Sequence, residues 1–186
     1  DDVLFEQLTV AKHKKIVIVD GGKERADSVL NGLSYAEKQN SDWVMVHDAA
    51  RPCVSSEDII NLYNTCIKSN SAGILASPVR DTMKRSVLSE IESNVAISET
   101  VDRTNMWHAL TPQCAKTAEL KQAISSQVDD SGWVNKKITD EASALELAKK
   151  PVLLVAGSVK NLKVTMPEDL ELAEFYLSSL AKTQAC

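Results

Sequence analysis

The chain has 186 residues, enough for one domain with a sizeable hydrophobic core and hardly enough for two. Its 44% hydrophobic and 25% charged residues are those of an ordinary soluble globular protein. A formal net charge of -5 argues against a general nucleic-acid-binding protein, which would carry a basic surface. No apolar run approaches the roughly 20 residues that span a bilayer, and the acidic start DDVLFEQLTV lacks the features of a secretory signal.

Cysteine and histidine usage excludes several kinds of site. The four cysteines are scattered without a CxxC pair, so neither a disulfide framework nor a zinc site is indicated, and a reducing cytoplasm is expected. None of the three histidines has HxxxH spacing, which argues against a histidine metal site.

Strands that alternate with amphipathic helices predict βαβ crossovers, and therefore an α/β fold whose mostly parallel sheet has helices on both faces. The strands are predicted from short β-branched runs, and the helices from apolar residues three and four positions apart. In chain order we predict a strand over 14–20, a helix over about 24–39, a strand over 43–47, a helix after Ser55, a strand over 72–79, a helix over about 116–127, a glycine-containing loop, a helix over about 140–149, a strand over 151–157, a short strand over 162–164 and a last helix from Thr165.

Capping residues mark three of these helices. Ser55 with Asp58 is a plausible capping arrangement, and Thr139 is predicted as the N-cap of the helix over 140–149. The stretch TMPE, which starts at Thr165, predicts a capping box with a proline in the first turn.

Residues 80–103 break the pattern, since they are polar and β-prone, with no helical stripe and no glycine. The segment is too long for a plain loop and predicts either an extended hairpin arm or a flap. Val95 and Ile97 alternate with Ala96 and Ser98, which suits an exposed ribbon that needs a partner.

Polar residues gather at the ends of the predicted elements, and loops that follow the strands of a doubly wound sheet converge on one edge. The stretch VMVHDAARP is the clearest case, because an apolar strand ends in Asp48 and Arg51. It is typical either of a solvated turn or of an active-site corner, and the residues alone leave both open. Arginine and lysine at such positions suit a phosphorylated ligand, although Gly21-Gly22 is also a plain turn and Lys163 also a snorkelling side chain.

Six stretches, taken together, resemble the 2-C-methyl-D-erythritol 4-phosphate cytidylyltransferase family, in order and spacing, from about Ile16 to Tyr176. They are GGKERADSVLNGL, VHDAARP, PVRDTMKR, TVDRTNMWHALTPQ, ITDEASALE and LKVTMPEDLELAEFYL.

The resemblance implies a Rossmann-like nucleotidyltransferase fold in a single domain over 1–186, and a cytoplasmic homodimer interlocked through a protruding β-arm over about 80–103. It implies a reaction of non-mevalonate isoprenoid biosynthesis, in which CTP and 2-C-methyl-D-erythritol 4-phosphate give a cytidine-diphospho product and pyrophosphate. It also implies Mg²⁺, bound mainly through the CTP phosphates, with Asp48 as the candidate if one carboxylate takes part.

The resemblance also assigns site residues. It implies catalytic roles for Lys163 and Asp48. It implies CTP contacts for Gly22, Ser28 and Ala49. Lys23 stands where the family often has an acidic residue. Contacts to the methylerythritol phosphate, in part from the partner's arm, are implied for Arg51, Thr82, Arg103, Thr111, Thr139 and Lys163.

One family feature has no counterpart in residues 1–16, namely the glycine-rich loop that wraps the CTP triphosphate and carries catalytic cations. We therefore expect the chain to be an N-terminally incomplete form of the enzyme, inactive by itself. Two alternatives stay open. A pentitol-phosphate (ribitol phosphate) cytidylyltransferase would have a strand-end motif different from DAARP. A non-catalytic nucleotide-binding or dimerisation module is favoured by the missing loop.

Overall fold

The structure is a computed structural model that describes residues 3–88, 95–128, 134 and 138–184. The chain clusters into two compact units. The first comprises Asp1–Val44 with Lys116–Lys149, and the second comprises Met45–Ala115 with Lys150–Cys186.

The described residues contain six α-helices, six β-strands and one 3-10 turn, Thr9–Lys12. In chain order they are α1 (Val3–Gln7), α2 (Arg25–Lys38), β1 (Trp43–Val46), α3 (Ser56–Ser69), β2 (Ala72–Pro78), β3 (Met83–Leu88), β4 (Val95–Val101), β5 (Trp107–Lys116), α4 (Thr117–Ser125), α5 (Glu141–Leu147), β6 (Val152–Ala156) and α6 (Pro167–Gln184).

Four strands form a mixed sheet in the order β1-β5-β2-β6. Strand β2 runs parallel to β6 and antiparallel to β5. The α/β class predicted from the sequence is confirmed, and β5 is the strand that the sequence pattern missed. A proline argues against a central strand because it cannot donate to the ladder. Pro112 is accommodated because the register between β2 and β5 shifts between Ile74 and Ala76, which leaves residues 110–112 outside the regular pairing.

Each unit has its own buried apolar residues. In the second unit α3 packs against β2 and β6, and Leu62, Cys66 and Leu75 are completely buried. In the first unit α4 packs against α2 and α5. Its buried side chains include Leu33 and Leu120. Leu33, Leu62 and Cys66 follow the three- and four-residue spacing of the predicted helices, whereas Tyr63 and Ile67, which share that spacing in α3, are exposed.

Helix starts follow side-chain chemistry. The Ser55 hydroxyl accepts a hydrogen bond from Asp58 N–H at 3.0 Å, as predicted for the start of α3. The prediction of Thr139 as the N-cap of α5 is wrong. The N-cap is Asp140, because its carboxylate accepts the Ser143 N–H at 2.9 Å.

Pro167 opens α6, as predicted, but Asp169 rather than Glu168 completes the cap. The Asp169 carboxylate accepts the backbone N–H groups of Thr165 and Met166, each at 2.9 Å. These hydrogen bonds stabilise the ionised form and lower the pKa of Asp169.

Two predicted strands do not form in the described part of the chain. Residues 14–20 have no regular secondary structure and their side chains are exposed, because a β-branched run forms a strand only against a partner strand. Residues 162–164 are irregular as well, and Val164 N–H donates to the Ala50 carbonyl of the DAAR turn at 2.8 Å.

Strands β3 and β4 form a separate antiparallel ribbon, with Met83 opposite Val101. Of the two predicted alternatives, a hairpin arm or a flap, the structure has the hairpin arm. Three apolar side chains of the ribbon, Val87, Val95 and Ile97, are more than half exposed. The tip of the predicted arm, 89–94, and most of the predicted glycine-containing loop, 129–133 and 135–137, lie outside the described residues.

None of the helices within the described ranges is both long and apolar enough to cross a membrane.

Candidate functional site

A tight turn after β1 brings together three of the predicted site residues. Arg51 N–H donates to the Asp48 carbonyl at 2.9 Å, which closes the turn through the two alanines. The Asp48 carboxylate then lies 3.3 Å from Lys163 Nζ and 3.8 Å from Arg51 Nε. Lys163 comes from the segment between β6 and α6, so the fold unites residues that lie far apart in the sequence.

Thr111, also a predicted site residue, fixes this turn from β5. Its hydroxyl oxygen accepts Asp48 N–H at 3.0 Å and lies 2.9 Å from His47 Nδ1. The other ring nitrogen, His47 Nε2, lies 3.0 Å from the Arg51 carbonyl. Because a carbonyl only accepts, Nε2 carries a proton and donates to the Arg51 carbonyl. Hydrogen bonds therefore link Asp48 N–H through Thr111 and His47 back to the turn.

Asn161, which no sequence pattern indicates, bonds to the turn through Arg51 and to β5 through Thr111. Its backbone carbonyl accepts Arg51 Nη1 at 2.9 Å, and its side-chain Nδ2 donates to the Thr111 carbonyl at 2.7 Å. Asn161 is an isolated polar residue in a loop, and only the folded structure shows that it is 1% exposed.

Charge at the turn is positive on balance. The Arg51 side chain is 12% exposed. Burial lowers its pKa, Asp48 opposes that effect, and a guanidinium stays protonated at neutral pH. The Lys163 side chain is 47% exposed and reaches the carboxylate from the solvent side. Two cations on one carboxylate leave an excess of one positive charge, which suits a phosphate group.

A cavity of about 470 Å³ adjoins the turn, within the size range of small-molecule sites. Its polar and charged lining includes Arg51, Arg80, Asp81, His108 and Asn161. Two arginines against one aspartate leave positive charge at this cavity, which again favours an anionic ligand.

Two further predicted residues lie at the base of the arm. Thr82 precedes β3, Arg103 follows β4, and both are exposed. Arg103 and Arg80 line a second cavity, of about 550 Å³. Ala49, predicted to let the nucleotide approach, is exposed within the turn itself.

Gly22 and Ser28, the predicted nucleotide contacts, lie in the first unit and bond to each other. Gly22 N–H donates to the Ser28 hydroxyl at 2.9 Å. A Cβ atom at Gly22 would lie 2.1 Å from Asp27 Cβ, so only glycine fits there. The loop is thus held against the start of α2.

Thr139, also in the first unit, is exposed directly before α5. An ion pair ties the starts of α5 and α2, since the buried Glu141 carboxylate accepts both terminal nitrogens of Arg25, at 2.7 and 3.1 Å. This bidentate pair holds the start of α2, which carries Ser28, against the start of α5, which follows Thr139.

The described residues offer no cluster of three or more histidine, cysteine, aspartate or glutamate side chains that could hold a metal ion. Asp48, the candidate magnesium ligand, faces Lys163 and Arg51, and these cations would repel a divalent ion in contact with the same carboxylate. The donor set of this turn therefore does not fit a protein-held Mg²⁺ site.

Comparison with known proteins gives consistent matches. A model of the family described as 2-C-methyl-D-erythritol 4-phosphate cytidylyltransferase matches residues 1–179. The protein of that name from Colwellia psychrerythraea is 52% identical over 184 residues, which are 97% of this chain and 74% of that protein. The one from Vibrio parahaemolyticus is 52% identical over 178 residues, which are 95% of this chain and 72% of that protein.

Solved structures of proteins with the same name share the fold. The protein from Francisella tularensis matches with a TM-score of 0.77 and 40% identity, over 89% of this chain and 73% of that one. The protein from Thermus thermophilus matches with a TM-score of 0.71 and 32% identity, over the same shares of the two chains. The Rossmann-like nucleotidyltransferase fold implied by the sequence is thereby confirmed.

We predict that Thr111→Val destabilises the protein by about 1–3 kcal/mol, because the partly buried Asp48 N–H and His47 lose their shared partner. Thr111→Ser keeps the hydroxyl and loses one methyl group, worth about 0.8 kcal/mol. Urea unfolding of the two variants measures the difference. A valine variant no less stable than the serine variant would show that the hydroxyl does not hold the turn.

Proposed function

Because the chain belongs to the 2-C-methyl-D-erythritol 4-phosphate cytidylyltransferase family, we propose that Asp48, Arg51 and Lys163 form the phosphate-binding part of its active site. The reaction transfers the cytidylyl group of CTP to 2-C-methyl-D-erythritol 4-phosphate in isoprenoid biosynthesis. The observation that carries the assignment is the ion-paired group of one carboxylate and two cations at the end of β1.

The two alternatives from the sequence are not favoured. The matching family and the relatives named above all bear the name of the methylerythritol phosphate enzyme, and none of them bears that of a pentitol-phosphate enzyme or a binding module.

The chemistry is an in-line attack of a substrate phosphate oxygen on the α-phosphorus of CTP, with pyrophosphate as the leaving group. Both reactants are anions, so the site must cancel their repulsion, align them and spread the transition-state charge. A phosphate monoester is already ionised at neutral pH, so no general base is needed. Lys163, half exposed, is the mobile cation that contacts the reacting phosphate, and Arg51 is the fixed one.

Asp48 keeps the two cations together before the substrate arrives, and we assign its carboxylate to the hydroxyl groups of methylerythritol as well. Thr111 and Thr139 complete the substrate contacts in this proposal. The Thr111 contribution includes the hydrogen bond that orients the Asp48 backbone.

CTP is assigned to Gly22, Ser28 and Ala49. A glycine that admits no side chain leaves backbone groups open to close approach by cytosine and ribose. The small, exposed Ala49 lets the nucleotide pass beside the turn.

We assign magnesium to the phosphate oxygens of CTP, because no carboxylate of the described turn fits direct coordination. When bound there, the ion neutralises triphosphate charge and orients the nucleotide. A cytoplasmic location, the compartment in which we place this reaction, agrees with cysteines 53, 66 and 114 being free thiols.

The arm is assigned to dimerisation. An isolated two-stranded ribbon is marginally stable in water, and β3 and β4 expose Val87, Val95 and Ile97. Packing against a second copy would cover these side chains and bring Thr82 and Arg103 to the partner's substrate. Each active site would then contain residues of both chains.

The proposal for Lys163 predicts that Lys163→Ala in the complete protein lowers kcat/KM by about 10²-fold or more, since a transition-state cation is lost. The matched control is Lys160→Ala in the same loop, whose ammonium lies over the Tyr176 ring, 5.9 Å from its centroid. Pyrophosphate release from CTP and methylerythritol phosphate measures both. An unaltered rate for Lys163→Ala would return this lysine to the role of a solvated surface group.

The composite site predicts that Arg103→Ala and Lys163→Ala, each inactive alone, complement each other when their subunits exchange. Random assortment makes about half of the dimers mixed, and each mixed dimer has one intact site, so activity recovers to about a quarter of wild type. Size-exclusion chromatography verifies the dimer, and native mass spectrometry verifies the exchange from the mass of the mixed dimer. A monomer, or no recovery after verified exchange, would leave Arg103 without a role in the neighbouring site.

A further inference from the structure

Asn161 is a buried amide in a segment that has no regular secondary structure. It is 1% exposed, and it lies two positions before Lys163. A buried amide is costly unless it is hydrogen-bonded, so the contacts of Asn161 indicate what the residue does for the fold.

The side chain supplies a donor where the ladder between β5 and β2 is interrupted. Nδ2 donates to the Thr111 carbonyl at 2.7 Å, and Thr111 lies in the stretch 110–112 that has no register partner in β2. Asn161 thus ties its own loop to the strand that also holds the backbone of Asp48.

Three hydrogen bonds tie residues 161–164 to β5 and to the turn after β1. Besides the bond to Thr111, the Asn161 carbonyl accepts Arg51 Nη1 at 2.9 Å. Val164 N–H donates to the Ala50 carbonyl at 2.8 Å. Lys163 lies between these anchors, and two of the three belong to Asn161.

The lysine side chain cannot fix its own position. It is 47% exposed and meets Asp48 at a distance of 3.3 Å. An exposed lysine is flexible, and such a pair adds little rigidity. The position of the ammonium group therefore depends on where the backbone of Lys163 is held.

We propose that Asn161 is a positioning residue, which sets the place of Lys163 beside Asp48 by anchoring the loop to β5. This inference rests on the proposed function for its catalytic consequence, because only that function makes Lys163 a phosphate contact. A displacement of about 1 Å at a reacting group can cost about 10²-fold in rate.

The test compares Asn161→Leu with Leu62→Ala in the complete protein. Leucine has the branching of asparagine and removes the donor without burying a charge. Leu62 is completely buried in α3 and serves as a control for general loss of stability. We expect Asn161→Leu to lower kcat by about 10-fold or more with the KM for CTP unchanged, and Leu62→Ala to retain kcat per folded molecule.

A second readout does not depend on catalysis. Acylation of lysines by acetic anhydride, followed by mass spectrometry, reports how accessible Lys163 is relative to Lys160, an exposed lysine of the same loop. If Asn161 positions Lys163, the Lys163/Lys160 labelling ratio rises by up to about fivefold in Asn161→Leu, as expected for loss of a surface ion pair. If that variant does not fold, Asn161→Ser, whose hydroxyl is too short to reach Thr111, is measured in the same way.

The two readouts separate the inference from the proposed function. An unchanged labelling ratio overturns the positioning role of Asn161, whatever happens to kcat. A raised ratio with unchanged kcat supports the positioning role and contradicts the assignment of Lys163 to the reacting phosphate. A raised ratio with lowered kcat supports both.

Discussion

The ion-paired Asp48 carboxylate is the contact on which the rest of the site depends. It lies within 3.3 Å of Lys163 and 3.8 Å of Arg51, two cations that would otherwise repel each other. Because the Lys163 side chain is 47% exposed, its ion pair with Asp48 contributes at most about 1 kcal/mol to stability. The value of the arrangement is therefore placement, since it assembles positive charge before an anionic substrate arrives and avoids reorganisation during the reaction.

Placement requires a rigid backbone, which two buried side chains provide. Thr111 bonds the Asp48 N–H and His47, and Asn161 bonds the Thr111 carbonyl and, through its own carbonyl, Arg51. Both meet at the irregular part of β5, where the ladder with β2 is interrupted. Thr111 has no register partner in β2, and its carbonyl accepts the hydrogen bond from Asn161.

Local patterns in the sequence predicted most helices and part of the site. Regular apolar spacing located α2, and the Ser55 hydroxyl located the start of α3, because both depend on nearby residues. Family resemblance supplied Asp48, Arg51 and Lys163. Strand β5 was missed because Pro112 conceals it, and the wrong N-cap of α5 reflects two adjacent capping residues whose reach only the fold decides. Asn161 was missed because its partner, Thr111, is 50 positions away.

The most direct test of this account is a double-mutant cycle on kcat/KM with Asp48→Asn, Lys163→Met and the double variant in the complete protein. If the carboxylate and the ammonium act as one unit, each single change disables the unit, and the double variant loses little more than the worse single variant. If the losses in log kcat/KM of the two single variants simply add in the double variant, Asp48 and Lys163 act independently. That result would contradict the conclusion that the ion-paired carboxylate places the lysine for the reaction.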